Sequence, residues 1–322
     1  MADVIALGEL LIDFVPTEAG LGVGGTLLWE RAPGGAPANV AVGLARLGIS
    51  TAFLGMVGDD PFGHYLAAIL RENQVDVRGL RFNPSARTAL AFVALQADGE
   101  RDFMFYRHPS ADMLYTPTDV EEDVFDAASI FHCGSISVIS EPSRAATYHA
   151  LDLARKYGLI ISIDPNLRLP LWPSAKAART AIRELLPYAD VIKVSDEEAT
   201  FLTGETDLER AMAALWHDNL KLLLLTQGNA GCTYRTAHGS GAVASIAVQA
   251  VDTTGAGDSF VAATLASLVQ NPALWDDHAA LEQTLRRANI AGALTTTQRG
   301  GIPALPTWAQ IEAALGEGDR RT

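Results

Sequence analysis

Cysteine is nearly absent from this chain of 322 residues: Cys133 and Cys232 are the two, each inside an apolar stretch. Thiols so few and so far apart in sequence suggest neither a disulfide framework nor a zinc site, and both read as buried and reduced. Long apolar runs are missing as well. Polar residues or glycines interrupt each one well before membrane-spanning length, Leu222 to Leu225 being typical. Positive charge is in short supply: 24 Lys and Arg stand against 38 Asp and Glu, a net charge of −14. Nucleic acid and anionic membranes repel such a chain unless a basic patch intervenes, and the basic residues are scattered. No glycine precedes a lysine anywhere, which excludes a P-loop. The catalytic-loop and magnesium motifs of protein kinases are lacking too. The N-terminus, Met1-Ala2-Asp3-Val4-Ile5, carries no basic flank and does not read as a signal peptide. The expectation is a cytoplasmic chain with no nucleic-acid or membrane partner.

What is present is globular. Hydrophobic residues make up 48% and charged residues 19% of a chain long enough to bury a sizeable core. Val4 to Val15, Thr51 to Val57, Ser129 to Cys133, Leu159 to Ile163, Val191 to Val194 and Leu220 to Leu225 read as strands. Amphipathic stretches such as Ser143 to Tyr157 and Ser174 to Leu186 separate several of them. Continuous apolar strands alternating with helices predict an α/β fold, a doubly wound and mostly parallel sheet covered on both faces. Polar clusters at Asp164-Pro165-Asn166, Ser195 to Glu198 and Thr226-Gln227-Gly228 each follow a strand, where open α/β sheets bind ligands. Two segments break the rhythm. Leu90 to Gln96 and Arg101 to Tyr106 flank Ala97-Asp98-Gly99-Glu100, a hairpin signal, because glycine supplies the positive φ of a primed turn. Pro16 to Pro33 is glycine-rich with little helical pattern. Together they predict a small β lid, or else an ordinary surface hairpin. The polar stretch Gly316 to Thr322 reads as a frayed tail.

Asp252-Thr253-Thr254-Gly255-Ala256-Gly257-Asp258-Ser259-Phe260 carries the chemistry. It follows a β-like run, Ala244 to Val251, and opens a helical one. Gly255, Ala256 and Gly257 let a backbone with outward N–H groups approach a ligand, which suits the oxygens of a phosphoryl group in transfer. Asp258 in the first helical turn is either an N-terminal cap or a carboxylate that takes the proton of an incoming hydroxyl. Gly20-Leu21-Gly22-Val23-Gly24-Gly25 matches a dinucleotide fingerprint in letters only, since no helical pattern follows before Pro33. Pro33 to Gly48 is a second small-residue helix, with Pro37 suited to its first turn and Gly48 to its stop. Gly34, Gly35 and Asn39 could bind hydroxyl groups there, and Asp13 would add an acceptor.

At these residues the chain resembles a family. Pro33 to Gly48 is similar to the N-terminal signature, and Asp252 to Phe260 to the highly specific C-terminal signature, of the ribokinase-like (PfkB) carbohydrate kinases. The resemblance covers essentially the whole chain in order, lid hairpin included. Within the family, Phe103 to Leu114 and Asp164 to Ser174 look like fructokinases. The resemblance implies a single domain over residues 1–322, with a lid of about 14–33 and 86–107. It implies ATP, Mg²⁺ and K⁺ as cofactors, a sugar substrate, and a homodimer paired through the lid. It makes Asp258 the base and Gly255, Ala256 and Gly257 the anion hole. Asp13, Gly34, Gly35, Asn39, Arg107, Asn166 and Arg168 become sugar contacts. Thr226, Gly228, Gly231 and Asn289 match nucleotide positions, while Asp252, Thr254, Thr295, Gly300 and Ala304 match a monovalent-cation site. The family's Asn-x-x-Glu motif, which the resemblance makes a nucleotide-side element that helps place magnesium and phosphates, here reads Ser195-Asp196-Glu197-Glu198, which keeps the acid at Glu198 and places Ser195 where the amide stands. Two alternatives stay open: 2-keto-3-deoxygluconate kinase, with Arg107 and Arg168 gripping a carboxylate, and a non-catalytic sugar-binding regulator. Nucleoside-like acceptors such as aminoimidazole riboside rank behind these.

Overall fold

Short apolar runs supply most of the strands, and the thirteen among the described residues begin with β1 (Val4–Leu7), β2 (Leu11–Pro16), β3 (Trp29–Gly34), β4 (Thr51–Gly58), β5 (Leu80–Asn83), β6 (Leu90–Leu95) and β7 (Arg101–Tyr106). These are followed by β8 (Ile130–Cys133), β9 (Ile160–Ile163), β10 (Val191–Ser195), β11 (Leu222–Thr226), β12 (Cys232–Thr236) and β13 (Gly239–Val243). The structure, a computed structural model, describes residues 2–18, 20–95 and 101–318. Nine strands form one sheet in the order β13-β12-β11-β10-β9-β8-β1-β4-β5. It is parallel from β11 through β5, and antiparallel where β12 and β13 close one edge. β5, β12 and β13 have no counterpart in the sequence reading, because charged and polar residues interrupt β5 and β12 and glycine and serine open β13, so none has the apolar run that marks a central strand.

Side chains alternate across each strand, so the two faces feed different cores. Ile192 and Val194 of β10 pack with helices Ser143–Lys156, Ala175–Leu185 and Asp196–Thr203 on one face. Val191 of the same strand packs with Ala256–Gln270 and His278–Thr295 on the other. Cys133 and Cys232 are buried and free. Among the described residues no helix is long and apolar enough to cross a membrane.

The second sheet has four strands in the order β3-β2-β6-β7 and is the lid. Here the single strand expected from Val4 to Val15 is corrected. The run breaks at Gly8-Glu9, where Gly8 has a φ of +156° and a Cβ would stand 2.5 Å from the Pro37 ring. β1 therefore belongs to the large sheet and β2 to the lid. Asp13 is a lid residue. Gly22–Gly25, expected without helical pattern, makes one short helical turn. The antiparallel pairing of β6 with β7 forms the expected hairpin, whose turn at 97–100 lies outside the described residues. The supposed β-run Ala244 to Val251 is not a strand: beyond Val243 the chain runs without a sheet partner to the helix at Ala256, and Val251 is 59% exposed. The tail expected to fray from Gly316 instead continues the last helix, Trp308–Gly318, and residues 319–322 lie outside the described set.

Candidate active site

Parallel strands deliver their carboxyl ends to one edge, and the polar clusters gather there. Ser195 and Thr226 close β10 and β11 in register, and Asp164 follows β9. The helix Ala36–Arg46 reaches this edge because its residues are small: at Gly43 a Cβ would stand 2.8 Å from that of Ala262, so this helix and Ala256–Gln270 pack very closely. That closeness lets Asn39 donate to Asp258 Oδ2 at 2.7 Å. Asn166, held at the left-handed φ of 45° that asparagine tolerates, donates to Oδ1 at 3.2 Å. Asp258 stands in the first turn of its helix, but its recorded side-chain bonds go to these two amides and not to a helix N–H. Burial raises its pKa to about 6, with Asp164 adding to the rise and the Asn39 bond, Lys193 and Arg168 opposing it. A carboxyl near neutrality, held from two sides, is equipped to take a proton.

Beside it, Gly255 has a φ of +81° and caps the helix. A Cβ there would lie 3.0 Å from Gly301 Cα. Among the described residues the N–H groups of Gly255 and Gly257 have no internal acceptor, and that of Ala256 reaches only the Thr253 carbonyl at 3.4 Å. Helix N-termini with free N–H groups attract anions.

Two cavities meet at this point. The first, about 290 Å³, is lined by Asp13, Gly35, Asn39, Arg107, Asn166 and Arg168, together with Ser195, Glu198, Thr254, Gly255, Gly257 and Asp258. The second, about 530 Å³, is lined by Thr226, Gly228, Gly231, Ala256 and Asn289 among mostly apolar neighbours. Thr253 and Gly257 belong to both. Ser195 and Glu198, expected on the nucleotide side, line the first cavity. They form a capping box in which Glu198 Oε2 accepts from Ser195 N, while Oε1 accepts from Leu167 N at 2.6 Å. Ala256 lies on the wall of the second cavity only. Gly34 lines neither; it leaves room for Asp13, whose Oδ2 would be 2.0 Å from a Cβ at that position. Asn289 donates to the Val243 carbonyl at 2.8 Å, at the start of the segment that leaves the sheet.

Arg107 is buried, and its Nε pairs with Asp112 at 2.7 Å. The expected two-arginine grip on a carboxylate loses one arm, because this guanidinium already holds a carboxylate and the Ile136 carbonyl. Arg168 remains in the cavity wall, with Leu167 O as its recorded hydrogen-bond partner. Asp252 accepts from Thr254 N and Oγ1 and from Gly300 N, which draws two loops together. Thr295 is fully buried and donates to Ala291 O, and Ala304 is buried nearby in sequence.

Glu9, Lys193 and Glu197 escaped the sequence reading as site residues. Glu9 lines the first cavity and accepts from Ala36 N at 2.9 Å; burial raises its pKa to about 7. Asp13 shares that rise to about 7, again from burial, with Arg168 opposing. Lys193 lines the same cavity, as does Glu197. The signal that could have found Glu9 and Lys193 was a charged residue inside an apolar strand run.

The model of the pfkB family carbohydrate kinases matches residues 1–308. The chain belongs to this family. It is 52% identical over 316 residues to Fructokinase-2 of Solanum lycopersicum, covering 98% of this chain and 96% of that protein. Among solved structures it is similar to a fructokinase with bound ATP from Xylella fastidiosa, at a TM-score of 0.91 and 33% identity, covering 99% of this chain and all of that one. A double mutant of fructokinase from Vibrio cholerae O395, bound to fructose, ADP and potassium ion, gives a TM-score of 0.88 and 36% identity over 97% of this chain and 98% of that chain. These likenesses bear out the ribokinase-like fold expected from the two signatures and the resemblance to fructokinases expected from Phe103 to Leu114 and Asp164 to Ser174.

Proposed function

We propose that this carbohydrate kinase is an ATP-dependent fructokinase that phosphorylates the primary hydroxyl of fructose. One observation carries the reading: Asp258, buried and near neutral pKa, stands where a polar cavity and an apolar cavity meet, beside backbone N–H groups without internal acceptors. The sugar occupies the first cavity, with Asp13, Asn39 and Asn166 fixing its hydroxyls, and the nucleotide lies in the second. The γ-phosphoryl group reaches the Gly255–Gly257 amides at their junction. The primary hydroxyl oxygen forms a bond to the γ-phosphorus as its proton passes to Asp258, and the bond to the bridging oxygen breaks, its electron pair leaving with ADP. The lid, about residues 14–33 and 86–107 of a single unit spanning 1–322, closes over the sugar and excludes water, which would otherwise compete as acceptor.

Mg²⁺ fits this chain through Glu197 and Glu198 in the cavity wall, since the ion commonly takes one or two carboxylates and completes its shell with phosphate oxygens and water. When bound it would neutralise charge on the phosphate oxygens. Asp252, Thr254, Thr295, Gly300 and Ala304 offer an all-oxygen set for a monovalent cation, K⁺ in this reading. Leu27, 91% exposed, Leu28, 67%, and Tyr106, 56%, support a homodimer paired through the lid. The enzyme is cytoplasmic in this reading, and the net charge of −14 supports the expectation of no nucleic-acid or membrane partner. The test is ATP depletion across fructose, 2-keto-3-deoxygluconate and ribose. Turnover strongest on fructose is the expected result; tight sugar binding with no turnover on any sugar would make the protein a regulator.

A further inference from the structure

β10 interrupts its own apolar pattern with Lys193. Ile192 and Val194 enter one core and Val191 the other, so a fourth apolar side chain would serve packing better than an ammonium group. The chain instead buries Lys193 to 8% exposure. Its Nζ donates to Asp164 Oδ2 at 3.0 Å, and Asp164 is its single hydrogen-bond acceptor among the described residues. An ammonium group has three donors, so two remain without a protein partner in a place where desolvation is costly. Burial works against its charge, yet Asp164, Glu198 and Asp258 outweigh burial and raise its pKa. The group stays cationic.

Its position is the telling feature. Lys193 lines the first cavity, and a Cβ built on Gly257 would stand 3.0 Å from Nζ. Gly257 is also one of the two residues shared by both cavities. The ammonium and the free N–H groups of the helix start therefore face one small volume. Asp164 serves two partners, since its other oxygen accepts from Asn166 N at 3.1 Å, and Asn166 in turn donates to Asp258. Lys193, Asp164, Asn166 and Asp258 form one continuous chain of contacts from cation to base.

We propose that Lys193 is a further catalytic residue, whose two spare ammonium protons hydrogen-bond the equatorial oxygens of the phosphoryl group as it passes from ATP to the sugar. The inference rests on the kinase reading above. Lys193 exchanges no proton in the step. Charge that spreads over those oxygens as the bond to ADP breaks meets a fixed cation and costs no solvent rearrangement. A side chain at Gly257 would press on the ammonium and shift it by a few tenths of an ångström.

The experiment compares wild type with Lys193→Met, Lys193→Arg and the double variant Asp164→Asn/Lys193→Met. It measures kcat, both KM values, fructose binding by titration, and formation of the complex with ADP, aluminium fluoride and fructose. Losing one such donor slows turnover by about 10²–10³-fold, and Lys193→Met is expected to do so with fructose affinity nearly unchanged. It should also fail to form the aluminium fluoride complex, while Lys193→Arg recovers part of the rate. The double variant removes both buried charges, so it decides the matter if Lys193→Met does not fold. Slow turnover in a folded double variant supports the proposal. Near-normal turnover in either Met variant overturns it and leaves Lys193 as the counter-ion of Asp164. If wild type depletes ATP with another sugar, the fructose reading falls alone and the same ratios are taken on that sugar; no turnover on any sugar overturns both.

Discussion

The two cavities touch at Thr253 and Gly257, yet they are built from opposite materials. The first sets the buried carboxylates of Glu9 and Asp258 and the half-buried one of Asp13 around an opening framed by Asn39, Asn166 and Arg168. The second offers Ile246, Val248, Ala256, Phe260 and Ala293, with glycines at its rim. A sugar is nearly all hydroxyl, and rigid charged acceptors discriminate it, because a missing partner leaves a buried group unpaired. A purine is flat and largely apolar, so a slot with close backbone serves it. The contrast assigns recognition to one cavity by hydrogen bonds and to the other by shape, with transfer at the wall between.

Five results would sharpen or break that division. The largest effect belongs to the shared wall: Asp258→Asn should lower kcat by about 10²–10⁴-fold with sugar binding nearly intact. Steady-state rates beside a binding titration check it, and near-normal turnover would reduce Asp258 to a structural residue. Next comes the polar cavity. Asp13→Asn removes a charged acceptor and should raise the sugar KM by roughly 10–100-fold while the ATP KM holds steady. In the apolar cavity, Ala293→Phe fills the slot and should raise the ATP KM by about tenfold. A matching change in the sugar KM would mean the cavities are not separate in function.

The smallest effects are those of pH. Asp258 must be ionised to accept a proton, so kcat/KM should fall as pH drops through about 6. Stability runs the other way. Glu9 titrates near 7 when folded against 4.5 as the ordinary value, so the folded protein binds its proton more tightly. Its favourable contribution is complete below about 4.5 and is lost as pH rises through about 7. Thermal unfolding of Glu9→Gln from pH 5 to 8 should therefore show a shallower decline than wild type. An identical slope would mean that Glu9 is not the buried acid responsible.

Much of the fold was legible because central parallel strands are unbroken apolar runs, and β4, β8, β9, β10 and β11 lie within a residue or two of where those runs stand. Gly255 and Gly257 were legible because glycine beside a helix start has few other uses. Glu9 and Lys193 were not, since a charged residue in an apolar run says nothing about its partner until Ala36 N or Asp164 arrives from elsewhere. The split at Gly8 was hidden for a similar reason: Leu10, Leu11 and Ile12 continue the apolar run across a break at Gly8, where Pro37 leaves no room for a Cβ. Ala244 to Val251 looked like a strand by composition, but no neighbouring edge offers it hydrogen bonds.

By itself the sequence determined the alternation of strands and helices, the small-residue helix starts and the presence of one carboxylate beside them, all local properties of side-chain size and polarity. Tertiary structure alone decided that Asn39, 219 residues away in sequence, meets Asp258 at 2.7 Å. It likewise decided which acids lose their water and drift toward neutral pKa. Burial and long-range contact depend on how layers stack, and that sum over the whole chain is not written in any one segment of it.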